Sequence, residues 1–180
     1  MAKWGKADFS ELKALQEKLQ ELERIDLDKF CEECSKEMAA RLLAFVIPAT
    51  PLGKYPNETG KKGGTLRRGW TAKSHEDAAS GSGQPTASQA KEYAQNLPIS
   101  KSGGTYTIEV INPVEYASYV EFGHRQTPGR FVPALGKQLK AGWVNGQYFL
   151  TISEENLEKM LPSVLQRKLD QFLREIFSNG

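Results

Sequence analysis

The sequence predicts an α+β fold: an antiparallel β-sheet flanked by a long N-terminal helix (or helix pair) and a C-terminal helix, with a mobile loop insertion. Three observations predict it. Apolar residues recur at helical spacing up to Pro48, a β-branched and aromatic run occupies Thr105 to Ile111, and helical spacing returns after Ser153. With 180 residues, 39% of them hydrophobic, the chain suits a single domain, residues 1–180, in which a sizeable part lies outside the core.

The N-terminal helices are placed over 8–47. Leu12, Leu15, Leu19 and Leu22 form a narrow seam at steps of three, four and three, and Asp8 with Glu11 supplies the cap. The register breaks near Asp26 and Asp28, so a second helix or a kink starts there. Its apolar set is Leu27, Phe30, Cys31, Cys34, Met38, Leu42 and Phe45, and Pro48 stops it. Residues 48–76 read as a Pro/Gly loop and a first strand near Thr65 to Thr71. Residues 77–104, dominated by Ala, Ser, Gly, Gln and Pro, read as a flexible insertion with a short helix over Ser88 to Asn96.

Residues 105–152 hold the clear strand, a short helix and an arm. Tyr106, Ile108 and Val110 share the face expected to be buried. Asn112-Pro113 ends the strand, Tyr116 to Phe122 form the short helix, and Gly123 closes it. The stretch Gln126 to Pro133 is irregular, 134–147 reads as weak helix with a turn at Asn145-Gly146, and Gln147 to Ile152 as strand. The C-terminal helix spans 153–177, with Pro162 predicting a kink or break.

Charge and composition exclude several classes. Lys plus Arg (24) nearly balances Asp plus Glu (22), which argues against a dedicated duplex-DNA binder or a polybasic membrane module. The apolar stretch Leu42 to Ile47 is too short to span a bilayer, and the N-terminus has no signal-peptide core, so a cytoplasmic protein is expected. Charge is unevenly placed: 8–37 carry ten acids and five bases, whereas 54–73 carry six bases and one acid. Opposite signs of this kind draw segments together, within a subunit or between neighbours.

Catalytic patterns are missing, and a non-enzyme without cofactor or metal is expected. Cys31 and Cys34 form a CxxC inside a helical pattern, where both thiols share one face and act as small hydrophobes. His75 and His124 lie too far off to complete a zinc site. Gly60-Lys61-Lys62-Gly63-Gly64-Thr65 lacks the lysine–hydroxyl order of a phosphate loop. A basic strip of Lys61, Lys62, Arg67, Arg68 and Trp70 has the makings of a single-strand nucleic-acid site, with Trp70 stacking on bases. The competing reading is a strip whose charges face water or an acidic neighbour.

The order of features resembles the tail-component and neck family of tailed bacteriophages typified by the gene-ten product of a lambdoid coliphage, with similar members in contractile-tailed prophages and tailocins. Thr50-Pro51, Thr59-Gly60 and Thr65-Leu66-Arg67-Arg68-Gly69-Trp70 resemble its "TP…TG.LR.SW" signature, with an extra Lys61-Lys62-Gly63-Gly64 and with Gly69 where serine is usual. Asn112 to Arg125 is similar to "N.v.YA.yvE.Gh". Gly129-Arg130-Phe131-Val132-Pro133 and Gly146 to Ser153 carry the third stretch.

The resemblance implies a structural virion protein. It would form a homo-oligomeric ring, usually hexameric, in the neck, completing the tail and joining it to the head. The implied partners are neighbouring neck, head-closure, tail-terminator or tail-tube proteins, with passing contact to genomic DNA in the channel and assembly in the bacterial host cytoplasm. A tail terminator capping the tube is the alternative role. Candidate interface residues are Tyr116, Tyr119, Glu121, Phe122, Gly123, His124, Arg125, Phe131, Val132 and Pro133. For Tyr116, Tyr119 and Phe122 the subunit's own core is the competing placement.

Overall fold

The computed structural model describes residues 17, 27–55, 58, 60, 63–133 and 136–178. The expected leucine seam Leu12 to Leu22, its Asp8 cap, the break at Asp26, and Lys61 and Lys62 lie outside the described residues.

Helix α1 (Leu27–Ala49) opens with Asp28 in its first turn and buries Cys34, Ala39, Leu43, Val46 and Ile47. Pro48, expected to stop the helix, lies inside its last turn: the helix runs on to Ala49, and the Thr50 amide still donates to the Val46 carbonyl (2.9 Å). Three short helices follow: α2 (Thr65–Gly69), α3 (His75–Ser80) and α4 (Ala87–Asn96). Then come β1 (Ile99–Ser102), β2 (Thr105–Ile108), α5 (Ala117–Phe122), β3 (Gly123–Arg125), β4 (Phe131–Val132), β5 (Lys137–Gln138) and β6 (Trp143–Asn145). Helix α6 (Phe149–Ser178) completes the described chain.

The architecture is α+β, with the long helices expected at each end and small antiparallel sheets between them. The described strands form three separate two-stranded ribbons, β1–β2, β3–β6 and β4–β5. Ile99 faces Ile108, Gly123 faces Asn145, and Phe131 faces Gln138. Helix α1 is the spine, packed chiefly against α6 and α4. The core joins Leu43, Val46 and Ile47 of α1 to Leu66, Trp70, Ala78, Ala90, Ala94, Val114 and Phe149.

Several sequence expectations are corrected. The strand expected over 65–71 is replaced by helix α2 at 65–69 and a turn, because Leu66, Gly69 and Trp70 are buried at helical spacing of three and four. The segment 77–104 is more than a loop insertion. It holds α3, α4 and β1 and contributes Ala78, Ala90 and Ala94 to the core, with a Thr86–Gln89 capping box opening α4. The weak helix expected at 134–147 is replaced by β5 and β6, and the strand expected at 147–152 by the start of α6. Pro162 lies within α6, which runs on without a break and presents that residue to solvent.

Candidate interaction surface

The motif residues fall into two sets, those that hold the fold and those that face outward. The inward set begins with the arginine pair. Arg67 donates through Nε to the Thr50 carbonyl (2.5 Å) and through Nη2 to the Pro48 carbonyl (2.9 Å). It therefore satisfies acceptors that the end of α1 leaves open, and puts a cation at the negative end of that helix. Arg68 does the same for α3, donating to the carbonyls of Ala78 (2.7 Å) and Gly83 (3.2 Å). Trp70 is 2% exposed, and its indole N–H donates to Thr50 Oγ1 at 2.8 Å. It cannot stack on a base, so the basic strip loses its aromatic platform, and its two described arginines are occupied by backbone.

Asn112 ties the second motif to the first. Its Nδ2 donates to the Leu66 carbonyl (2.8 Å), while Oδ1 accepts the Val114 amide (3.2 Å). Gly69 packs so close that a Cβ there would overlap Asn112 Oδ1 and approach Val114 Cγ2 to 2.8 Å.

Glu121 is 3% exposed. Its carboxylate accepts from the Leu150 amide (2.9 Å), the Thr151 amide (3.0 Å) and the Thr151 hydroxyl (2.7 Å). Those amides belong to the first turn of α6, so Glu121 caps that helix from a distant part of the chain. This corrects its place among the interface candidates. Sequence reasoning missed the role because the partners lie about thirty positions away and no local capping pattern signals them. Gly123 is also internal in its demands: at φ +85°, a Cβ there would collide with the Val144 carbonyl.

The outward set is aromatic. Tyr119 (58% exposed) and Phe122 (59%) lie three residues apart on α5, so they share a face. Phe131, Trp143 and Tyr148 are also exposed, and Tyr116 lies at the margin, its ring edge-on to His75 at 6.3 Å. Of the two placements weighed for Tyr119 and Phe122, the subunit's own core is thereby excluded. His124 stacks beside Tyr119 with ring centroids 5.8 Å apart, and its Nδ1 lies 3.4 Å from the Tyr119 carbonyl oxygen. Arg125 pairs across the ribbon with Trp143, Val132 is half-buried and Pro133 exposed.

Elsewhere, Asp28 at the start of α1 binds Lys101 and Tyr106 of the β1–β2 ribbon, which holds its carboxyl below the usual carboxylate range, with the Lys101 bond the larger cause. Cys34 is buried, and burial pushes its thiol up; Cys31 is half-buried and both are free. A groove of about 820 Å³ beside α4 is lined by Arg68, Lys73, Asp77, Gln84 and Tyr93. Among the described residues, no group of three His, Cys, Asp or Glu is arranged to hold a metal. None of the described helices is long and apolar enough to cross a membrane.

The chain matches the model of a family described as "Bacteriophage HK97-gp10, putative tail-component" over residues 13–123. That range takes in the arginine pair, Trp70, Asn112 and Glu121, and it stops at Gly123, where the arm begins. No curated protein and no solved structure matches it.

Proposed function

The chain belongs to the HK97-gp10-like family of bacteriophage tail components, and from that premise we propose that it forms a ring, of six copies by resemblance, at the head–tail joint. There it completes the tail and joins it to the head. Its place is the virion and its partners are other virion proteins. The observation that carries the ring reading is the outward set on α5 and the arm. Tyr119, Phe122, Phe131 and Trp143 are each more than half exposed. Aromatic side chains of this size serve as anchors when a partner buries them. A closed ring needs two different complementary patches on each subunit, and one exposed aromatic face supplies the first of them.

Electron microscopy of particles made without this gene tests the proposal. Separate DNA-filled heads and tails of normal length support joining. Tails of irregular or excessive length move the protein to the terminator role. Infectious particles of normal form refute a virion role at the joint. At residue level, Tyr119→Ala is expected to fold and melt as the parent does, yet to be missing from particles. Normal incorporation of that variant removes Tyr119 from the interface.

A further inference from the structure

We infer that the arm of one subunit docks on the acidic N-terminal segment of a second copy of this chain. The inference rests on the ring reading and names the surfaces that close it.

The arm, residues 123–148 between α5 and α6, is unusual in charge. From Phe122 to Ser153 the chain contains Arg125, Arg130, Lys137 and Lys140 and no Asp or Glu. All four cations are exposed, and none of their side chains forms a hydrogen bond or ion pair with another described residue. Exposed Phe131 and Trp143 stand among them. The arm therefore presents positive charge and apolar area together, and among the described residues these cations have no partner within the subunit.

The complementary surface lies at the other end of the chain. Residues 8–37 hold ten acids against five bases, and the acids interleave with Leu12, Leu15, Leu19 and Leu22. Within the described part, Glu32 and Glu33 are exposed and form no ion pair with other described residues. In the basic segment 54–73, Arg67 and Arg68 are already bound to backbone carbonyls. An acidic, leucine-bearing segment and a basic, aromatic arm complement each other in charge and in apolar character. They are different patches, so the contact is head-to-tail, and repetition of a head-to-tail contact closes a ring when its rotation permits.

The test uses assembled particles containing a mixture of ¹⁵N-labelled and unlabelled full-length chain, treated with a zero-length carbodiimide that joins lysine to carboxylate. Cross-links between Lys137 or Lys140 of one isotope and acids of 8–37 of the other are expected. If copies cross-link only through other segments, the inference falls and the ring stands. If no mixed-isotope product forms at all, the ring reading fails as well.

A charge exchange provides the second measurement. Arg130→Glu with Lys137→Glu and Lys140→Glu, or Glu17→Lys with Glu32→Lys and Glu33→Lys, should each lower incorporation into particles by about tenfold, in line with the cost of like charges at an interface. Each variant is first checked for a parental melting curve. Combining the two sets should restore incorporation. No recovery in the combined, folded variant overturns the inference. So does salt-sensitive binding of a duplex oligonucleotide that the arm reversal abolishes and the combination leaves absent, since the arm then serves DNA.

Discussion

Removing the Glu121 carboxylate tests how α6 is held. In Glu121→Ala, the Leu150 and Thr151 amides and the Thr151 hydroxyl lose an acceptor now 2.7 to 3.0 Å away. A hydrogen bond to a charged group contributes about 1.5 to 3 kcal/mol. Two amides at the lower figure amount to about 3 kcal/mol, since neighbouring bonds do not add in full. That is a large share of the roughly 5 to 15 kcal/mol by which a domain is stable. At about 2 to 4 °C per kcal/mol for a chain of this size, the melting temperature should fall by about 6 to 12 °C. Far-ultraviolet circular dichroism, which reads helix content, follows the melt. Glu121→Gln keeps an acceptor oxygen but loses the charge, so it should fall about half as far. A Glu121→Ala melt within about 2 °C of the parent would refute the capping argument. So would a Gln variant less stable than the Ala variant.

Other positions yield shorter tests. Gly69→Ala should destabilise the fold by about 1 to 3 kcal/mol through overpacking against Asn112 and Val114, and urea denaturation reads it directly. Trp70→Phe should cost about 1 to 3 kcal/mol, since Thr50 Oγ1 loses its indole donor inside the core, and Trp70→Phe combined with Thr50→Val should recover part of that loss. The folded Asp28 carboxyl lies below its ordinary value of 3.8, so its contribution is fully present above that value and is lost as pH falls through the folded value. An NMR titration should place its midpoint below 3.8, and Lys101→Ala should move it back up. Iodoacetamide should label half-buried Cys31 faster than buried Cys34, as mass spectrometry of the peptides will show.

What the sequence made legible follows from how local each signal is. The spacing from Leu27 to Phe45 and the run at Thr105 carry their own periodicity, and both gave the right element. Gly123 closing α5 was also visible, because a glycine after a short apolar helix is a local signal. The misreadings share a cause. At 65–71, β-propensity was weighed over the four-residue spacing of Leu66 and Trp70, which was present and pointed to helix. At 77–104, a composition of Ala, Ser and Gly suggested loop, yet small residues are what a closely packed helix places inside, as Ala90 and Ala94 do. At 147–152, the start of α6 depends on Glu121, a partner that no window around Phe149 contains. For the surface, Tyr119 and Phe122 were found with core and interface still open, because an aromatic at helical spacing is the same signal for both. Only their exposure separates the two.

Helix α4 meets the core through little more than the side chains of Ala90 and Ala94, with Tyr93 and Leu97 half-buried beside them. At about 0.8 kcal/mol per buried methyl-sized group, each alanine contributes little by itself, so the close fit of this ten-residue helix against α1 carries the attachment. The joint between α1 and α6 is built differently, with Phe30 and Phe172 meeting at ring centroids 4.6 Å apart. Exchange of the α4 amides without global unfolding requires local opening of the fit against α1. That opening bares Leu43 and Ile47 of α1, so α4 is the cover over buried apolar residues of the spine.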